Sequence, residues 1–187
     1  MNTLEERIQQ ASREDVFILP YDPKWPEIFR RERDHLRACL PGELLGRIEH
    51  FGSTAVPGLA AKPIVDMLVE VTDLRATQTR IVPILRDQGY GYFWRPTTGD
   101  DGLPFYAWFI KRNSSGARTH HIHMVEPHFQ HWDRLLFRDY LIAHPEAAQK
   151  YLHLKFHLAN QHPNDREAYT NGKTDFIASI MARVLKQ

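Results

Sequence analysis

Apolar residues along the chain follow two spacings, one typical of helices and one of strands. Between residues 23 and 39 they recur every three or four positions, which predicts a helix with one buried face, ended by Pro41-Gly42. The residues of that face are Trp25, Ile28, Phe29, Leu36 and Leu40. Further helices are predicted over residues 73–88, 130–143, 145–160 and 165–186, and Pro83 implies a kink or two shorter helices in the first of these.

Short apolar runs predict the strands. Ile64–Val71 is the most apolar, and its β-branched residues favour a strand buried on both faces. Asn113-Ser-Ser-Gly116 has the composition of a hairpin turn. The predicted strands are Arg47–Phe51, Ile64–Val71, Tyr90–Trp94, Phe105–Arg112 and Thr119–Val125, with an extended segment at Val16–Leu19.

The order of these elements indicates an α/β (α+β) fold with one mixed β-sheet flanked by helices and a C-terminal helical portion. We interpret residues 1–187 as a single domain, in which residues 1–15 are an N-terminal arm with a short polar helix over residues 3–11. A chain of 187 residues is long enough to bury one substantial core.

Composition narrows the classes of partner. Lys and Arg number 24 against 23 Asp and Glu, a net charge of +1, so no overall charge attracts nucleic acid or a membrane. The polar N-terminus lacks the apolar core of a secretory signal, and no apolar run approaches a membrane span, so we expect a cytoplasmic protein. Cys39 is the sole cysteine, which excludes an internal disulfide and a zinc site built from cysteines.

The segment from His50 to Asp66 carries the clearest chemistry. Gly52 allows close backbone approach to a ligand, and the amides of Ser53 and Thr54 could cradle an anion. Lys62 is a point charge suited to phosphate, and Asp66 lies within an apolar strand, where it needs a cation, a donor or a metal. The alternative is a simple turn followed by an Asp that caps a loop or pairs with an Arg.

This segment resembles the signature of the GrpB family, in the nucleotidyltransferase superfamily. The similarity covers Ile48–Asp66, with Phe51 in place of Ile, and extends in order through Arg118–Val125, Phe137–Glu146 and His162–Lys173. The resemblance implies a nucleotidyltransferase-like fold, in which Gly-Ser and a strand with two carboxylates hold divalent metal, Mg²⁺ or Mn²⁺, against nucleotide phosphates. Some relatives are fused to dephospho-coenzyme A kinase, which suggests a coenzyme A or nucleotide context.

The chain departs from that pattern at the second carboxylate. Position 68 is Leu, and Glu70 shares the face of Asp66 but lies about 13 Å along the strand. A two-metal site is therefore not expected. His121 and His123 share one strand face and could complete an Asp66–His121–His123 metal site, or act as a pair in phosphate binding and proton transfer. The alternative is a pair of exposed histidines with ordinary hydrogen bonds.

Cationic and polar residues recur in the matching segments. Arg118 precedes the histidines, and Tyr169 and Lys173 are four residues apart on one predicted helix face. Together with Lys62, the side chains of Arg138 and Lys173 could hold a polyanion, whereas the alternative for Arg138 is a salt bridge with Asp139 or Glu146.

Three functions remain open from the sequence. The first is a metal-dependent nucleotidyltransferase that binds a nucleotide and transfers it to an unidentified acceptor. The second is a non-catalytic module that binds a nucleotide or another phosphorylated small molecule, which the missing carboxylate favours. The third is a metal-dependent phosphoester hydrolase that uses Asp66, His121 and His123.

Overall fold

The computed structural model describes residues 16–96 and 105–186. The helices are α1 Trp25–Cys39, α2 Leu74–Ala76, α3 Val82–Asp87, α4 Asp133–Ala143, α5 Pro145–Gln161, α6 Arg166–Asn171 and α7 Thr174–Val184. The strands are β1 Leu45–Phe51, β2 Val65–Val71, β3 Gly91–Pro96, β4 Phe105–Arg112 and β5 Arg118–Val125. Single 3₁₀ turns occupy Gly42–Leu44, Ser53–Ala55 and Gln130–Trp132.

The five strands form one mixed sheet in the order β1-β2-β5-β4-β3. The central pair, β2 and β5, is parallel, and every other neighbouring pair is antiparallel. Because β2 lies between two strands and under helices, Met67, Leu68 and Val69 are completely buried. This confirms the sequence prediction of a mixed sheet whose most apolar strand is buried on both faces.

The two faces of the sheet have different coverings. On one face, α1 and the segment from α2 to α3 pack against alternate apolar residues of β2 and β5, such as Met67 and Ile122. On the other face, aromatic side chains form the floor, among them Tyr106 and Trp108, and Phe129 and Trp132 pack against it. The candidate chemistry described below lies on this aromatic face.

The C-terminal helices pack on the loop between β1 and β2. Val56 and Leu59 of that loop are buried with Leu141, Tyr151 and Ile180. Lys155 of α5 is itself buried and donates a hydrogen bond to the backbone carbonyl of Ala60. The C-terminal helical portion thus fixes the segment that carries Gly52 and Lys62.

Local breakers explain where the helices differ from the prediction. The expected helix over residues 165–186 is two helices, α6 and α7, separated at Gly172 and Lys173, where Gly172 packs against Leu158. The first helix begins at Trp25, two residues after Pro23. The segment over residues 73–88 is divided by a π turn at Thr77–Ile81, in agreement with the break expected from Pro83.

At the N-terminal end of the described chain, Leu19 pairs with Ala61 as an isolated bridge where an extended segment was expected. The predicted arm over residues 1–15, with its helix over residues 3–11, lies outside the described residues. Within the described ranges no helix combines the length and the apolar character that a membrane crossing requires.

Candidate functional site

The centre of the site is a pair formed by Asp66 and His121. Strands β2 and β5 are parallel neighbours, and their register places the two residues at the same level on the same face. The Nδ1 atom of His121 lies 3.0 Å from Oδ1 of Asp66. The Asp66 side chain keeps 28% of its surface accessible and that of His121 keeps 14%, so the pair can be reached by a ligand.

A third residue fixes the protonation state of His121. Nη1 of Arg118 lies 3.2 Å from Nε2 of His121. Since a guanidinium can only donate, Nε2 is the acceptor, and the imidazole proton is on Nδ1 and donated to Asp66. Burial lowers the pKa of His121, although Asp66 opposes this shift, so the imidazole is neutral near pH 7.

Asp66 is a carboxylate in this arrangement. Burial alone would raise its pKa, but the hydrogen bond from His121 and the charges of Lys62 and Lys173 outweigh burial, and the pKa of Asp66 is lowered. The central group of the site is therefore negatively charged at neutral pH while its surroundings are positive.

The bend at Gly52 lies directly against this carboxylate. Gly52 has φ +74° and ψ −173°, a conformation that is nearly exclusive to glycine. A Cβ at this position would lie 2.6 Å from Oδ2 of Asp66. The sequence analysis expected Gly52 to allow close approach of a ligand, whereas the group that lies against Gly52 in the structure is the carboxylate of Asp66.

The residues after Gly52 have different roles. Ser53 starts a 3₁₀ turn, and its side chain opposes the rise that burial causes in the pKa of Tyr151. Thr54 is buried, with its hydroxyl 2.9 Å from Nε2 of His50 and 3.4 Å from the carbonyl of Ile64. Thr54 therefore braces the loop from within, and Ser53 is the residue placed at the rim.

Two lysines meet on one aromatic ring beside Asp66. The Nζ atoms of Lys62 and Lys173 lie 4.8 and 4.3 Å from the ring centroid of the fully buried Tyr169. Burial lowers the pKa of Lys62 well below its usual value, and the charges of Lys173 and Arg166 lower it further. Burial likewise lowers the pKa of Lys173 to about 8, with Asp66 opposing the shift and Arg166 adding to it.

The positively charged side chains near Asp66 form one cluster. We call the set Lys62, Arg118, Arg166 and Lys173 the cationic basin. Its members act electrostatically on one another and on the Asp66–His121 pair. Among the described residues, Lys62 and Lys173 act on Asp66 and Arg118 contacts His121. A cluster of positively charged side chains of this kind favours the binding of an anion.

His123 is not paired with Asp66 in the sheet. Alternation along β5 keeps His121 and His123 on one face but separates them by about 7 Å, and the β2 residue opposite His123 is Leu68. His123 is buried, with its ring 5.4 Å from that of Tyr106. Within residues 16–96 and 105–186, no three His, Cys, Asp or Glu side chains are grouped so as to hold a metal ion. The three-ligand centre expected from the sequence is not assembled.

The donors that the described residues supply do not fit a resident Mg²⁺ or Mn²⁺ ion. Hard cations require several oxygen ligands, and Asp66 supplies the single carboxylate of the pair. Leu68 is completely buried at the position of the second carboxylate, and Glu70 is 3.0 Å from Arg47 in a salt bridge. We therefore derive no chemical step through a metal held by the protein alone.

Arg138 lies on α4 and braces β1. Its Nη1 donates to the carbonyl of His50 at 2.7 Å and lies 3.4 Å from Glu49, and its Nε donates to Asp139 at 2.7 Å. The salt-bridge alternative for this residue is the arrangement observed. Through these contacts, Arg138 holds α4 against β1, the strand that leads into Gly52.

Several residues of the site were not singled out from the sequence. Tyr151 lies on α5, and Arg134 lies on α4, where its charge acts on Asp66 and Tyr106. His131 belongs to the 3₁₀ turn that precedes α4 and packs 4.5 Å from the ring of Tyr106. Helical periodicity indicates Tyr151 as a core residue, but no local signal indicates which strand face α4 approaches.

Comparison with known proteins assigns the chain to a family. A family model described as GrpB protein matches residues 15–183. The chain belongs to the GrpB family. The match includes every site residue described above, from the Gly52 bend to Lys173.

Individual relatives support the assignment. A UPF0157 protein of Pseudomonas aeruginosa is 40% identical over 96% of this chain and 72% of its own length. The crystal structure of GrpB from Enterococcus faecalis has a TM-score of 0.75 and 34% identity, and the alignment covers 91% of this chain and 98% of that one. A protein of Mycolicibacterium paratuberculosis named dephospho-CoA kinase is 29% identical over 94% of this chain but only 47% of that protein.

Proposed function

We propose that this GrpB protein binds a nucleotide or another phosphorylated small molecule in the cationic basin. The phosphate would contact Lys62, Lys173 and Arg118 beside the bend at Gly52. The observation that carries the proposal is the convergence of four cations on an accessible Asp66–His121 pair. Two lysines on the same tyrosine ring repel each other, and a dianion between them replaces that repulsion with attraction.

The lowered lysine pKa values support an anion as the natural occupant. A buried lysine with a lowered pKa lacks compensating negative charge. A bound phosphate supplies that charge and returns the pKa of Lys62 and Lys173 toward the usual range. Binding above pH 8 should therefore be accompanied by uptake of protons. The name of the dephospho-CoA kinase relative directs the choice of probes toward coenzyme A compounds as well as nucleotides.

A second candidate function is nucleotidyl transfer, and the Arg118–His121–Asp66 chain favours it. If the guanidinium of Arg118 turns to the phosphate, Nε2 of His121 becomes available to accept a proton from an acceptor hydroxyl. That oxygen then forms a bond to the α-phosphorus, and pyrophosphate leaves with the electrons of the broken bond. Asp66 would stabilise the imidazolium that forms. Simple binding does not require a carboxylate that accepts a hydrogen bond from a neutral histidine.

Calorimetric titration tests the binding. The probes are ATP, dephospho-coenzyme A and tripolyphosphate, each at pH 7 in the presence of a chelator. Lys62→Gln and Lys173→Gln should each weaken the binding of at least one probe tenfold or more, about 1.4 kcal/mol. Lys150→Gln, an exposed lysine on α5, is the matched control and should leave the affinity unchanged. If the wild-type protein binds none of the three probes, the proposal is wrong.

The role of Mg²⁺ or Mn²⁺ is tested in the same titration. If the basin alone holds the ligand, removal of metal leaves the affinity unchanged. If Asp66 and the ligand phosphates hold a metal together, Mn²⁺ tightens binding, and Asp66→Asn abolishes that gain. Release of pyrophosphate from ATP in the presence of candidate alcohols, lost in His121→Gln, would support transfer over simple binding.

A further inference from the structure

The aromatic floor beside the cationic basin holds three buried polar atoms with no hydrogen-bond partner in the described part of the chain. They are Nε1 of Trp108, Nδ1 of His123 and Nε2 of His131. These residues expose only 8%, 7% and 3% of their surface. A buried polar group without a partner costs roughly 1–3 kcal/mol, so three on one face require an explanation.

The three residues form one cluster, because the ring of His123 lies 6.1 Å from that of Trp108 and Tyr106 packs against both histidines. The ring of Tyr106 lies 5.4 Å from that of His123 and 4.5 Å from that of His131. The two histidine rings are 5.9 Å apart, and the ring of Trp108 lies 5.2 Å from that of His121. The cluster is therefore continuous with the Asp66–His121 pair through Trp108.

Two arginines add positive charge to the cluster. The guanidinium of Arg95 lies 4.8 Å from the ring centroid of Trp108, and that of Arg134 lies 5.8 Å from the ring centroid of Phe51. Burial lowers the pKa of His123 and His131, and the charges of Arg134 and Arg95 lower both further. Both imidazoles are therefore neutral, and each can donate one N–H.

We propose that this cluster, the histidine pocket, binds an oxyanion, a carboxylate or phosphate group, of a second small molecule. Its residues are Arg95, Tyr106, Trp108, His123, His131 and Arg134. The indole of Trp108 can only donate, the neutral histidines can turn an N–H toward the ligand, and the arginines supply the opposite charge. The role of this pocket rests on the proposed function: its oxyanion would belong to a second reactant, bound beside the phosphorylated molecule in the cationic basin.

The occupant of the pocket is an oxyanion rather than a cation or an apolar group. A cation would face Arg95 and Arg134, and an apolar group would leave Nε1 of Trp108 without an acceptor. A carboxylate and a phosphate offer the same acceptor oxygens, and the affinities of the two probes distinguish them.

Histidine ring NMR tests the pocket directly. Two-bond proton–nitrogen spectra of the ¹⁵N-labelled full chain report the tautomer and the hydrogen bonding of each imidazole. The probes are succinate and inorganic phosphate at pH 7.5, with and without ATP. Signals are assigned with His123→Asn and His131→Asn. We expect saturable shifts at His123 and His131 with one or both probes, and the tighter probe identifies the oxyanion.

Charge variants separate this pocket from the cationic basin. Arg134→Gln, at an exposed arginine, should weaken the probe response at His131 tenfold or more, and Arg134→Lys should restore part of it. Lys173→Gln should leave that response unchanged, as should the exposed control Arg183→Gln. Signals that stay still with both probes, or that move equally in Arg134→Gln and the wild type, overturn the proposal.

The two proposals fail in different ways. If ATP binds but the histidine signals do not respond to either probe, the second oxyanion site is wrong and the phosphate site stands. If the histidine signals respond as described but no phosphorylated probe binds the basin, the proposed function is wrong and the histidine pocket stands as an anion site by itself.

Discussion

Asp66 and His121 occupy paired positions on the two parallel central strands, with Oδ1 and Nδ1 3.0 Å apart. In the absence of metal, the negative charge of Asp66 repels an anion in the cationic basin. Asp66→Asn keeps an acceptor for His121 but removes that charge. We expect tripolyphosphate to bind a few-fold more tightly to this variant at pH 6.5 in calorimetry with a chelator. Asp175→Asn, at an exposed position, is the control, and weaker binding to Asp66→Asn would contradict the expectation.

Gly52 and Gly58 are two glycines with positive φ, one against Asp66 and one in open space. Both have positive φ, +74° and +77°, but only at Gly52 would a Cβ meet another group, Oδ2 of Asp66 at 2.6 Å. Gly58→Ala should lower the free energy of unfolding by about 1–2 kcal/mol, the cost of a left-handed residue. Gly52→Ala should cost about 3 kcal/mol or more, because strain and the displaced carboxylate add. Urea denaturation compares the two, and equal losses would show that the contact is unimportant.

The sequence predicted the Asp66–His121 pair better than it predicted a metal centre. The alternation of side chains along a strand correctly placed His121 and His123 on one face of β5, and Asp66 and Glu70 on one face of β2. The register between β2 and β5 is a tertiary property, however, and it places His123 opposite Leu68, where no ligand is available. Local pattern therefore established which side chains share a face but not which of them meet.

Lys173 also shows which contacts a local sequence pattern can predict and which it cannot. Lys173 and Tyr169 were expected on one helix face, but the chain breaks at Gly172 and Lys173 precedes α7. The contact still forms, with Nζ 4.3 Å from the ring, because the break keeps the two residues adjacent. Arg134 and Tyr151 reach the site through the packing of α4 and α5, which no local pattern specifies.

The affinity for phosphate should depend on pH through Lys173. Burial lowers the pKa of this lysine to about 8, so its positive charge is present at pH 7 and largely lost at pH 9. The affinity for tripolyphosphate should therefore fall as pH rises from 7 to 9. Calorimetry in buffers of different ionisation enthalpy would also detect proton uptake on binding above pH 8. In Lys173→Gln the remaining pH dependence should be smaller, and an unchanged profile would exclude Lys173 as its source.

Lys155 should make the protein more stable as pH rises. Burial lowers its pKa to about 7, whereas an unfolded lysine titrates near 10.4. Between these values the unfolded state binds more protons, so the free energy of unfolding increases with pH, by up to about 1.4 kcal/mol per unit. Lys155→Met should remove the contribution of one proton from the dependence of the free energy of unfolding on pH. Lys62 and Lys173 add contributions of their own, which remain in this variant. Lys150→Met on the same helix is the control, and a slope in Lys155→Met equal to that of the wild type would contradict the assignment.

The buried histidines should make the protein sensitive to acid, and His131 allows a measurement on one group. Burial lowers its pKa to about 3, and the charges of Arg134 and Arg95 act in the same direction, whereas an unfolded histidine titrates near 6.5. As pH falls below 6.5 the unfolded state takes up a proton that the folded state refuses, so stability is lost. The loss from this residue alone is about 2 kcal/mol at pH 5.

His131→Phe keeps an aromatic ring against Tyr106 but cannot titrate. The decrease in the free energy of unfolding between pH 7 and pH 5 should therefore be about 2 kcal/mol smaller in this variant than in the wild type. His157→Gln, on the exposed face of α5, should show the same decrease as the wild type. A His131→Phe protein that loses as much stability as the wild type would mean that His131 accepts its proton within the folded state, which would require an acidic partner in the histidine pocket.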